Sequence, residues 1–188
     1  MDSTQDSPRY NPVSVLLHWL LAAAIVAVFI LGDQMADLPV SPLRLRLFNY
    51  HKWAGITILT LSALRLLWRL AHRPPGLPAS MSAWQRRASE WAHRLLYVLF
   101  FAVPLVGWSY SSAAGFPVVY LGLVPLPDLV PKDKALADVL KEVHGTLAWT
   151  LAAGYYNYVN VRQDTQLAAF ENGNSWELPG NSKSPVFS

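Results

Sequence analysis

The chain has 188 residues, 53% of them hydrophobic and 14% charged, where soluble domains average about 25% charged. It has no cysteine, which excludes disulfides, thiolate ligands and iron–sulfur clusters and leaves His, Met, Tyr and carboxylates to hold any metal. The formal net charge of +3 fits basic loops beside membrane spans, so no nucleic-acid partner is expected.

Two runs are free of Asp, Glu, Lys and Arg: 22 residues from Asn11 to Gly32 and 33 from Leu95 to Pro127. A helix needs about 20 apolar residues to cross the hydrocarbon core, so both runs are long enough. The first follows a polar opening, Met1 to Tyr10, and lacks a small-residue cleavage site, so it is not expected to be a cleavable signal peptide.

Four spans are predicted, giving an all-α transmembrane four-helix bundle. Span I covers Pro12 to Leu31, with Asn11 placed to cap it and Pro12 suited to the first turn. A polar loop with Asp33, Asp37, Pro39, Pro42, Arg44 and Arg46 follows. Span II covers Asn49 to Ala71, with Arg65 and Arg69 in its last two turns, where they can snorkel to headgroups. His72 to Arg87, with its Arg-Pro-Pro-Gly, reads as a loop.

Span III covers Ser89 to Ser109 and contains Pro104, a source of kinking. The apolar but Gly- and Pro-studded run from Phe116 to Pro127 reads as an interfacial loop. Span IV starts near Ala137 and is apolar from Val143 to Gly154. Tyr155 to Val161 is poor membrane sequence, and Arg162 ends the span. The predicted organisation is a cytoplasmic segment (1–10), a four-helix transmembrane domain (11–162) and a polar, disordered tail (163–188).

Positive charge sets the orientation. Arg65, Arg69, Arg73, Arg86, Arg87 and Arg94 surround the II–III loop, which is placed in the cytoplasm together with both termini. A multi-pass membrane protein is expected.

Five histidines carry the chemistry. His72 falls in a loop, whereas His18, His51, His93 and His144 fall in spans, where an ionisable side chain defaults to a functional hypothesis. At about 1.5 Å rise per residue, His18 and His93 share the inner leaflet while His51 and His144 share the outer one. Taken singly, each is as readily a hydrogen-bonded structural residue. Two per leaflet on different helices is the arrangement that bis-histidine ligation of haem iron requires. Gly55 and Gly145, close to His51 and His144, leave room for a porphyrin. The arginines and Lys52 suit either haem propionates or lipid headgroups.

Several segments together resemble the bacterial cytochrome b561 family of four-helix dihaem proteins. They are Leu17-His18-Trp19, Tyr50-His51-Lys52 with Gly55-Ile56-Thr57, Arg65-Leu66-Leu67-Trp68-Arg69, Ser111 to Pro117 and His144-Gly145-Thr146-Leu147-Ala148-Trp149. The likeness spans roughly residues 10 to 154. It implies a membrane cytochrome exchanging electrons with ubiquinone, and a bacterial member oxidises superoxide. It also implies an outer haem b between His51 and His144. An inner haem would lie between His18 and a second helix-IV histidine near Tyr158.

That last histidine is missing, since none follows His144. Three readings stay open: an altered 3′ end of the gene, substitution by His93, or a Tyr158 phenolate. Three functions also stay open. The first is a carrier between a one-electron donor at the outer face and ubiquinone, with superoxide:ubiquinone oxidoreductase activity. The second is a cytochrome b subunit anchoring a dehydrogenase or hydrogenase, and the third a non-redox histidine bundle.

Overall fold

The computed structural model describes residues 12–72 and 83–171, apart from the side chains of Gln85, Ser89 and residues 155–171. The Asn11 cap, the Arg-Pro-Pro-Gly loop, the cytoplasmic segment and the tail beyond Glu171 lie outside the described residues. Four helices follow one another: α1 (Pro12–Ala36), α2 (Pro42–Ala71), α3 (Ala83–Ala113) and α4 (Lys134–Glu171). A two-strand antiparallel hairpin, β1 (Val119–Tyr120) and β2 (Val124–Pro125), lies between α3 and α4. Among the described residues, α1, α2 and α3 are long and apolar enough to cross a membrane.

Every helix is longer than its predicted span. The I–II loop shrinks because Ser41 caps α2: its backbone is extended, its hydroxyl accepts from Arg44 N at 3.2 Å, and Pro42 occupies the first turn. Proline lacks the N–H that a first turn leaves unpaired anyway. Arg44 also reaches back, donating from Nη2 to the carbonyl of Ala36 at the end of α1 (3.4 Å), where cations suit the helix dipole. The run from Gln163, expected as tail, is helical to Glu171. No Pro or Gly interrupts residues 155–171.

The chain divides into two compact units. Residues 10–152 form one, and residues 1–9 with 153–188 the other. Of the second, the described part is the helical stretch 153–171 of α4.

Within the first unit the buried side chains mark stripes with alternating three- and four-residue spacing, the pattern of helices packed in a bundle. On α1 the stripe runs His18, Leu21, Ile25, Val28, Gly32, Met35, with Leu21 and Met35 buried. On α2 it runs His51, Gly55, Ile58, Ser62, Arg65, Arg69, with Ile58 and Ser62 buried. On α3 a row of the same spacing runs from exposed His93 through half-buried Tyr97, Phe100, Pro104 and Gly107 to buried Ser111, with buried Leu99 beside it, and on α4 it is Ala137, Leu140, His144, Leu147, Leu151, with Ala137 and Leu151 buried. Each stripe carries one of the four span histidines. The opposite faces expose large apolar side chains such as Leu16, Leu64, Leu67 and Val98, as lipid contact requires.

The hairpin gives the unit one distinctive end. Leu121 (φ 53°) and Gly122 (φ 73°) turn the chain consecutively through the left-handed region, and Leu123 N donates to Tyr120 O at 3.0 Å. A leucine there costs about 1–2 kcal/mol, so contacts elsewhere must hold the turn. They come from α2. Trp53 Nε1 donates to Val119 O at 2.7 Å, Lys52 Nζ to Pro117 O at 3.2 Å, and the Thr57 and Tyr120 hydroxyls meet at 2.9 Å. From α3, the Ser111 hydroxyl donates to Phe116 O, and Ser112 Oγ accepts from Leu129 N. Val118 is 2% exposed in consequence. The predicted interfacial loop is a built cap on the helix ends.

Candidate functional site

At the hairpin end, α2 and α4 bring His51 and His144 together. Their ring centres are 6.1 Å apart and their planes nearly perpendicular, at 87°. His144 Nδ1 lies 3.0 Å from the carbonyl of Val103 on α3. A carbonyl only accepts, so this contact puts the proton on Nδ1 and leaves the Nε2 lone pair free for a ligand. The His51 Nδ1 is buried and has no hydrogen-bond partner among the described residues.

Two glycines seat these rings. A Cβ added to Gly32 of α1 would stand 2.9 Å from His51 Cε1, and one added to Gly107 of α3 would stand 2.7 Å from His144 Cε1. Both are below any tolerable contact, so only a bare backbone lets the imidazoles lie where they do. Pro104 falls between Val103 and Gly107. Its missing N–H leaves the Phe100 carbonyl without a helical partner and loosens α3 locally. Gly55 and Gly145 behave differently: a Cβ at either meets nothing within 4 Å. The polypeptide leaves that space open beside both histidines.

Sequence reasoning singled out Gly55 and Gly145 and missed Gly32 and Gly107. The signal was present, because Gly32 and Gly107 continue the spacing that starts at His18 and His93. The hairpin contacts of Lys52, Trp53 and Thr57 were also missed, since they join residues more than sixty positions apart.

The other end is arranged differently. His18 is exposed, with its ring edge-on to Trp19 at 5.4 Å. His93 is exposed on α3. Tyr158 lies on the α4 backbone, and its side chain is outside the described residues.

Long apolar helices that present facing imidazoles define a class, the membrane haem proteins. The chain belongs to the prokaryotic cytochrome b561 family, whose model matches residues 9–155. It is 32% identical over 158 residues to cytochrome b561 homolog 2 of Escherichia coli (strain K12), covering 80% of this chain and 81% of that one. Cytochrome b561 homolog 1 of the same organism is 26% identical over 141 residues, covering 74% and 80%. A protein named probable superoxide oxidase CybB, from Yersinia pestis, is 26% identical over 150 residues, covering 74% and 78%. The chain is thus a membrane b-type cytochrome of electron transfer, and its family implies b-type haem. The family match stops inside α4, near Tyr155, where the sequence turns from apolar to Tyr- and Asn-rich.

Proposed function

We propose that this chain passes electrons from a one-electron donor at its hairpin end to ubiquinone in the membrane, with a haem b that His51 and His144 would hold. The observation that carries the reading is the facing ring pair. The two rings stand 6.1 Å apart, and the Val103 carbonyl leaves the Nε2 lone pair of His144 free to bind a metal. Among the described residues no three His, Asp or Glu side chains converge. Two protein ligands suffice for an iron whose remaining positions are filled by a macrocycle. Gly55 and Gly145 supply open space on the same helices.

When bound, the haem supplies a reversible one-electron iron couple. The chain's own residues set its surroundings. The Val103 carbonyl orients His144 and raises its basicity as a ligand. Gly32 and Gly107 fix the ring positions, and the hairpin held by Trp53 and Thr57 covers that end. Superoxide suits the donor role on charge, because Arg44, Arg46 and Lys52 stand at the same end and can favour an anion. Two superoxide ions would each lose one electron and leave as dioxygen, while ubiquinone takes both electrons and two protons. The hairpin end then faces outward, as the arginine count predicts.

Purified protein tests this directly. A reduced-minus-oxidised spectrum is expected to show a b-type alpha band, and generated superoxide to drive ubiquinol formation. No alpha band would sink the haem assignment. A normal band without quinol formation would sink the donor–acceptor pairing and leave the cytochrome intact.

A further inference from the structure

The end opposite the hairpin carries a cluster of hydrogen-bond donors on α2 and α3. Arg65 Nε donates to Tyr97 OH at 3.4 Å, and the Arg69 guanidinium lies over the Tyr97 ring, 5.6 Å from its centre. One tyrosine therefore gathers two cations, from its edge and its face. Like charges so placed repel unless an anion joins them. Among the described residues neither arginine has a carboxylate within ion-pair distance, and the ion pair present is Lys134–Asp138 on α4.

The arginines are not lipid-facing snorkellers. They continue the α2 stripe of His51, Ile58 and Ser62, whereas Leu64, Leu67 and Leu70 (51%, 63% and 71% exposed) occupy the other side of the same turns. Arg65 is half-buried and Arg69 exposed, so the pair opens from the α2–α3 groove toward the helix end. Arg65 and Arg69 lie 14 and 18 residues beyond His51, about 21 and 27 Å along the helix. The hydrocarbon core is about 30 Å thick, so Arg69 stands near the far face and Arg65 one turn inside it, within a long side chain's reach of the headgroups. We infer that Arg65 and Arg69, on the Tyr97 platform, bind the phosphate of an anionic phospholipid. Guanidinium forks match phosphate oxygens, and basic pockets between membrane helices take anionic headgroups.

Native mass spectrometry of the full haem-loaded chain tests this, with phosphatidylglycerol, phosphatidylcholine and inorganic phosphate as probes. The wild type is expected to retain phosphatidylglycerol in preference to phosphatidylcholine. Arg65→Gln with Arg69→Gln should cut that retention about fivefold per charge removed, with the haem-to-protein ratio unchanged. Equal retention by wild type and double variant would overturn the inference. So would binding of inorganic phosphate with no preference between the lipids. Loss of haem in the double variant would also overturn it, by assigning the guanidinia to haem carboxylates. If the double variant does not fold, Arg69→Gln at the exposed position serves alone, with the same fivefold loss expected.

Discussion

The two ends of the first unit are built on the same helices and the same spacing, yet they use them differently. At the hairpin end His51 and His144 face each other at 6.1 Å, each against a glycine on a neighbouring helix, under a hydrogen-bonded cap. At the other end the corresponding stripe positions hold His18 and His93, both exposed, and two arginines gathered on Tyr97. A place on a bundle-facing stripe therefore does not by itself bury a histidine. His51 and His144 also have a glycine on the adjacent helix against which the ring sits.

The largest effects should come from the ligands. His51→Ala and His144→Ala are each expected to lower the pyridine-haemochrome ratio by one haem per chain, while His93→Ala leaves it unchanged. A fall of equal size in His93→Ala would erase the distinction between the ends. Next come the glycines. Gly107→Ala and Gly32→Ala force a Cβ to within 2.7 and 2.9 Å of the rings, an overpacking that costs about 1–3 kcal/mol. Both should lose haem on mild detergent washing, Gly107→Ala the more. Gly154→Ala, where a Cβ meets nothing within 4 Å, should retain it. Gly55→Ala separates the polypeptide's needs from the cofactor's. The haem-free protein should gain up to about 1 kcal/mol of helix stability, and haem should bind more weakly because the open space is filled. Unchanged haem affinity in Gly55→Ala would remove that space from the site.

Much of this was legible from residue type and spacing. The absence of charge in Asn11–Gly32 and Leu95–Pro127 located α1 and α3, and the ionisable side chains within spans pointed to His18, His51, His93 and His144 alike, of which the fold brings His51 and His144 together. Other features depend on contacts that spacing within a helix does not reveal. Pro39, Pro42, Arg44 and Arg46 read as a loop by polarity, yet the Ser41 cap and the Arg44–Ala36 contact let α2 start at Pro42. Phe116 to Pro127 read as an interfacial loop, and its hairpin was not legible because its order comes from partners on α2 and α3. Gly32 and Gly107 are ordinary membrane-helix glycines until a ring from another helix is placed against them.

The cap supplies the smallest and most local test of the difference between the ends. Trp53 is two residues from His51, and its Nε1 donates to Val119 O at 2.7 Å. This contact pins β1 next to a turn that holds Leu121 at φ 53°. Trp53→Phe keeps an aromatic ring in place and removes only that donor. A hydrogen bond of this kind contributes roughly 1 kcal/mol net, so local opening of the hairpin should become about fivefold more frequent. Hydrogen exchange over residues 117–126 would register the change as faster exchange there, with α1 and the arginine end unaffected. Haem content should hold, because neither His51 nor its Gly32 seat touches the indole N–H. If exchange in the hairpin were unchanged, Lys52 and Thr57 would be the contacts that hold the cap. If haem were lost as well, the cap and the ligand pair would have to be treated as one cooperative structure rather than a lid on a pre-formed site.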